Sequence, residues 1–130
     1  MAVITVEHHD PFNGKLGFAL ASRSGNRIYV SGMTGFEPAD MSVPDDLEAQ
    51  MRLAYGNIAG ILSDVGSSLD RIVEQTVFFV GDAAPWVEIF SRVSAELFGT
   101  SPPSCTMVGV TQLVDPRYKI EIKVTAAAVE

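Results

Sequence analysis

The period of apolar and polar positions changes several times along the chain, and each change marks an element. The cleanest alternation runs over residues 118–125. There Tyr118, Ile120, Ile122 and Val124 face one way and Lys119, Glu121, Lys123 and Thr125 the other, which predicts a strand with one buried face. Between residues 45 and 65 the period lengthens. Leu47, Met51, Ala54, Tyr55, Ile58, Ile61, Leu62 and Val65 recur at spacings of three and four, one apolar stripe of a helix. Pro44 stops helix upstream, Asp45 and Glu48 have capping-box spacing, and Gly66 suits the end. Gly56 and Gly60 each cost about 1 kcal/mol relative to Ala inside that helix. A second helix is predicted over residues 83–98, with Asp82 as N-cap, Pro85 in the first turn and a stripe of Trp86, Ile89, Phe90, Val93 and Leu97.

β-branched and aromatic runs supply the other strands. Residues 17–22 and 26–31 flank the turn signal Arg23-Ser24-Gly25 and read as a hairpin. Residues 71–80 and 107–113 read as single strands. Residues 36–44 and 99–104 hold the prolines and read as loops. Val114-Asp115-Pro116-Arg117 predicts a hairpin or similar tight connection into the last strand. The order β-β-α-β-α-β-β predicts an α+β fold, a mixed sheet with two helices packed on one face. Its other face stays open, and an apolar open face needs a partner surface, so the pattern points to an oligomer.

The chain has 130 residues, enough for a single domain over residues 1–130 and one core. A hydrophobic fraction of 47% excludes a disordered chain. Nine Lys and Arg against 16 Asp and Glu give a net charge of −7, which repels phosphate and argues against nucleic acid as a partner. A single cysteine forms no internal disulfide and no four-cysteine zinc site, in keeping with a reducing cytoplasm. The absence of an apolar run of 18 residues argues against a membrane span. Residues 1–10 lack the basic start and apolar core of a signal peptide.

Few residues announce chemistry. His8 and His9 are adjacent and point apart on any regular element, so they read as a solvated tail or sheet edge. No phosphate-binding glycine loop and no zinc motif is present, so neither a cofactor nor a metal is expected. Asp45 and Asp46 suit a helix start. Glu121 lies between Lys119 and Lys123 on one strand face, each about 6–7 Å away. It reads as part of a surface charge ladder or as a carboxylate in a polar site between subunits. Cys105 follows Pro-Pro-Ser with no histidine placed to activate it, so a small apolar role outweighs a nucleophilic one.

Taken in order, Ser31-Gly32 after a strand, Gln50 to Asn57-Ile58, Gly66-Ser67-Ser68-Leu69, the stretch Thr76 to Asp82, Pro102-Pro103, Val108-Gly109-Val110 and Ile120-Glu121-Ile122 resemble the Rid/YjgF family, also called endoribonuclease L-PSP. The resemblance runs from about residue 17 to 127. It implies a chorismate-mutase-like α+β unit and a homotrimer with clefts between subunits. It also implies hydrolysis of reactive enamines and imines, such as 2-aminoacrylate, to 2-ketoacids and ammonia. In the family an Arg grips the substrate carboxylate, a Glu places or activates water, and a Ser-Gly and an aromatic residue shape the pocket.

Carried over residue by residue, the Ser-Gly falls on Ser31 and Gly32 and the catalytic Glu on Glu121. The pocket Tyr falls on Phe18, without its hydroxyl. The helix Asn falls on Ser91, and the key Arg on Cys105. Removing one partner of a buried charged contact costs about 2–5 kcal/mol. Deamination of 2-aminoacrylate is therefore expected to be weak or absent unless another cation stands in, with Lys119 or Arg117 on Glu121's strand face as the candidates. This places the chain in an arginine-lacking branch. Two functions stay open: a hydrolytic enamine/imine deaminase acting on a small metabolite, a carboxylate among the options, and a non-catalytic metabolite-binding or regulatory module. Ribonuclease activity is opposed by the charge and by the lack of a basic stripe.

Overall fold

A computed structural model describes residues 5–129. Residues 1–4 and 130, part of the expected single domain and, for the first four, of the expected leaderless start, lie outside the described residues.

The alternating and helical periods become β1 (Val6–His9), β2 (Ala21–Ser24), β3 (Arg27–Thr34), α1 (Leu47–Asp64), a 3-10 turn (Leu69–Arg71), β4 (Ile72–Val80), α2 (Ala83–Phe98), β5 (Ser104–Val110) and β6 (Ile120–Ala127). The strands form one six-stranded sheet in the order β1-β2-β3-β6-β4-β5. Only β4 and β5 pair in parallel, across the α2 crossover. The α+β mixed sheet expected from the sequence is the fold observed.

Both helices cover one face. Ile28 and Val30 of β3, Val77 of β4, and Ile120, Ile122, Val124 and Ala126 of β6 pack there against Met51, Tyr55, Ile58 and Leu62 of α1 and Trp86 and Val93 of α2. The indole of Trp86 donates to the carbonyl of Val80, satisfying its one polar atom inside the core. Leu97, expected in the α2 stripe, is instead 37% exposed on the last turn. The helix N-caps differ from each other. Asp46, one residue later than expected, accepts from the amide of Ala49 at 2.9 Å, whereas Asp82 precedes α2 without a side-chain cap bond.

Several expectations are corrected. The first hairpin turns at Gly25-Asn26 rather than over residues 23–25, because Gly25 takes the left-handed φ of +61°. Residues 17–20 precede the strand instead of belonging to it. The stretch around His8 and His9 is the sheet edge, one of the two readings the sequence left open, with His8 opposite Ser22 and His9 opposite Ala21. The largest correction concerns the last two strands. β5 and β6 do not form a hairpin, since β6 inserts between β3 and β4 and the 111–119 segment passes the end of β4. The inward face of β6 is fully apolar and gains most where strands flank it on both sides, whereas Ser104 and Thr106 of β5 tolerate the edge. Arg117 consequently lies in the loop, bonded to Asp115 at 3.0 Å, and not on the strand face of Glu121.

The face away from the helices mixes Tyr29 and Thr34 of β3, Thr76 and Phe78 of β4, Thr106 and Val108 of β5, and Glu121, Lys123 and Thr125 of β6. Tyr29 remains 42% exposed.

Candidate functional site

The site residues nearest one another are built by an irregularity in β3. Val30 pairs with Val124 and Met33 with Ile122, so Ser31 and Gly32 together oppose the single residue Lys123 in a β-bulge. Ser31 turns its hydroxyl onto the carbonyl of Ala19 at 2.7 Å, and its amide bonds the carbonyl of Leu20 at 2.9 Å. These two bonds hold the segment that carries Phe18, whose ring is 54% exposed. Gly32 is pressed against Glu121. A Cβ at Gly32 would lie 2.7 Å from the carboxyl carbon and from Oε2. The Ser-Gly pair thus has two separate jobs: the serine pins the Phe18 loop, and the glycine leaves room for the carboxylate.

Glu121 lies opposite Phe78 on one side and Thr34 on the other. Among the described residues its side chain makes no hydrogen bond and no ion pair, and partial burial pushes its carboxyl above the ordinary carboxylate range. The charge ladder with Lys119 and Lys123 is not formed as ion pairs among the described residues. Lys119 instead lines a surface cleft of about 390 Å³ at the end of β4, with Val80, Gln112 and Tyr118.

The remaining two site residues lie elsewhere. Ser91, on the exposed side of α2, bonds its own helix at the carbonyl of Val87. Cys105 sits on the edge strand β5, opposite Gln75. Gln75 faces the helices, so Cys105 does too, and Glu121 faces the other way. In register Glu121 is level with Phe78 and Val108, three residues beyond Cys105 and two strands away. The separation is roughly 14 Å between Cα atoms. Ser31, Gly32 and Glu121 therefore stand together, Cys105 faces the opposite side of the sheet, and Ser91 lies on the exposed side of α2.

Sequence reasoning passed over two neighbours of Cys105. Gln75 is 3% exposed and accepts the Tyr55 hydroxyl at 2.7 Å on its Oε1. Its Nε2 is buried without a partner. A polar residue at an inward position of an otherwise apolar strand was the available signal. Desolvation holds the Tyr55 phenol well above its ordinary value, with the Cys105 thiol adding to the effect, and burial also raises the Cys105 thiol.

The sequence model of the endoribonuclease L-PSP family matches residues 14–128. The chain belongs to that family. Among relatives of the L-PSP fold, it is 34% identical over 110 residues to the RutC family protein YjgH of Escherichia coli, covering 84% of this chain and 81% of that one. It is 30% identical over 113 residues to the mitochondrial protein MMF1 of Saccharomyces cerevisiae, covering 87% and 74%. The crystal structure of Rv2704 from Mycobacterium tuberculosis, a YjgF/YER057c/UK114 family member, superposes with a TM-score of 0.80 at 29% identity, over 95% of this chain and all of that one. In this L-PSP member Ser31, Gly32 and Glu121 stand together, and position 105 carries a cysteine whose thiol pKa is raised by burial.

Proposed function

We propose that this L-PSP family member is a homotrimer whose clefts between subunits hydrolyse an enamine or imine of a small metabolite. The observation that carries this reading is Glu121, a half-buried carboxylate with no partner, lodged against the glycine of a bulge. A carboxylate left unpaired in a partly dry site has a raised proton affinity and is suited to general acid–base work. Because Glu121 and Cys105 face opposite sides of the sheet, a shared pocket would take Phe18, Ser31, Gly32 and Glu121 from one subunit. Ser91 and Cys105 would come from the next, with Lys119 at the rim as a substrate-binding cation.

The chemistry balances without a cofactor. The enamine takes a proton from solvent on carbon to become an iminium. Water adds to the iminium carbon while Glu121 accepts one of its protons. Glu121 then returns that proton to nitrogen, the C–N bond breaks as ammonia leaves, and the remaining hydroxyl proton returns to solvent, replacing the one taken up at carbon, to leave a carbonyl. Phe18 packs on the substrate, and Ser31 and Gly32 hold the wall against which it lies.

The test generates the enamine in situ and follows ammonia release above the spontaneous rate. Glu121→Gln should lower the protein-dependent rate by about 100-fold or more. Equal turnover by the variant removes Glu121 from the chemistry. The second reading, a non-catalytic metabolite-binding or regulatory module, is favoured by the neutral residue at Cys105. It predicts ligand-induced stabilisation with no ammonia released. A cytoplasmic location goes with the single free cysteine, although the yeast relative MMF1 is named as mitochondrial. No helix among the described residues is long and apolar enough to cross a membrane.

A further inference from the structure

Gln75 is the buried polar side chain whose hydrogen bonding does not close. Its carboxamide oxygen takes the Tyr55 hydroxyl at 2.7 Å, and its Nε2 has no acceptor. Buried amide groups are almost always paired, because an orphaned donor forfeits its hydration without return. The orphan lies one strand in from the sheet edge. On one side Gln75 neighbours Val124 of β6, which is 1% exposed and closed by the core. On the other it neighbours Cys105 on the edge strand, which is open to solvent. The Tyr55 ring, held edge-on by Phe98 at 5.9 Å between centroids, forms the roof from the helix side.

The charge around Gln75 is as informative as its donor. Gln75 and Tyr55 are neutral, burial keeps the Cys105 thiol protonated at neutral pH, and none of the five ion pairs of the described residues involves them. A carboxylate entering here would lose water and meet no cation, an uncompensated cost. A carbonyl oxygen needs only a donor, and Gln75 Nε2 supplies one, with the Cys105 S–H as a second, weaker one. We infer that Gln75 and Cys105 form a neutral carbonyl subsite, so that the ligand carries an amide or ester where the family's arginine would select a carboxylate. This deepens the proposed function and rests on its placing of Cys105 in the substrate cleft.

The probes are 2-oxopropanamide and pyruvate, which differ only in amide against carboxylate at the group in question. Binding is followed by thermal shift and by the side-chain NH2 resonances of Gln75, assigned by their loss in Gln75→Leu. The amide should bind the wild-type protein about 10- to 100-fold more tightly than pyruvate and should move the Gln75 NH2 signals. Cys105→Arg should invert the preference, and if that variant does not fold the wild-type comparison decides alone. Equal or tighter binding of pyruvate overturns the inference. So does binding that leaves the Gln75 signals in place, or a resident water on Gln75 that neither probe displaces. Failure of the wider reading looks different: the amide binds at Gln75, yet no enamine is hydrolysed and Glu121→Gln changes nothing.

Discussion

Glu121 and Lys123 stand two residues apart on one strand face, yet only structure tells how the carboxylate is housed. The glycine of the bulge leaves room for it on the open face, and among the described residues no cation pairs with it. Its carboxyl is therefore raised above 4.5, the unfolded reference. In the pH window between 4.5 and the raised value, the folded chain keeps a proton that the unfolded chain has released. Stability must then fall as pH rises through that window. Glu121→Gln, which resembles the protonated carboxyl, should match wild type below the window and be more stable at pH 7, read as a higher urea midpoint. Identical pH dependence in the two proteins would show that the carboxylate is freely hydrated. Glu121, Ser31 and Gly32 are named through the family resemblance, which rests on the order of many short stretches. A residue-level reading of sequence could not see Gln75, since one glutamine in an apolar strand signals burial only once its neighbours are known.

Among the elements, polar side chains lock irregular segments onto α1. Gln50, 1% exposed, donates to the carbonyls of Pro44 and Arg117 and accepts from the amide of Lys119. It fixes the loop that carries β6, and so Glu121, into the middle of the sheet. Asn57 likewise donates to the carbonyls of Thr34 and Phe36, holding the segment that leaves β3. Gln50→Ala orphans three backbone groups at once and should cost about 3 kcal/mol in denaturant unfolding, against a change below about 0.5 kcal/mol for an exposed α1 position such as Ser63→Ala. Equal small effects would mean that the loop is held by other contacts. Element types were legible because periods of two and 3.6 differ plainly. The position of β6 was not, because a tight-turn signal at Asp115-Pro116 says nothing about which strand the chain returns to.

For the chain taken entire, the deciding fact is that Cys105 and Glu121 face opposite sides of one sheet. A pocket using both residues demands more than one copy. The open face carries Tyr29, Phe78 and Val108 among threonines and charges, the mixed character of an interface rather than a core. Sedimentation should give a mass about three times 14.0 kDa at micromolar concentration. Replacing Tyr29 by Glu, on the exposed face of β3, should drive the mass toward that of one chain and abolish turnover together. A fully active single chain would end the shared-cleft proposal.

Pattern along the chain was enough for the α+β class, both helices with near-final bounds and the buried face of the last strand. Each depends on local period, local turn chemistry or residue order, and these are written along one dimension. Packing in three dimensions set the insertion of β6 between β3 and β4, the bulge that fits Gly32 to Glu121, the facing of Cys105 and Glu121 to opposite sides of the sheet and the orphaned amide of Gln75. Those depend on which residues distant in sequence compete for the same buried space. Hydrophobic burial is non-directional, so the pattern states that a face must be covered, and only packing settles what covers it.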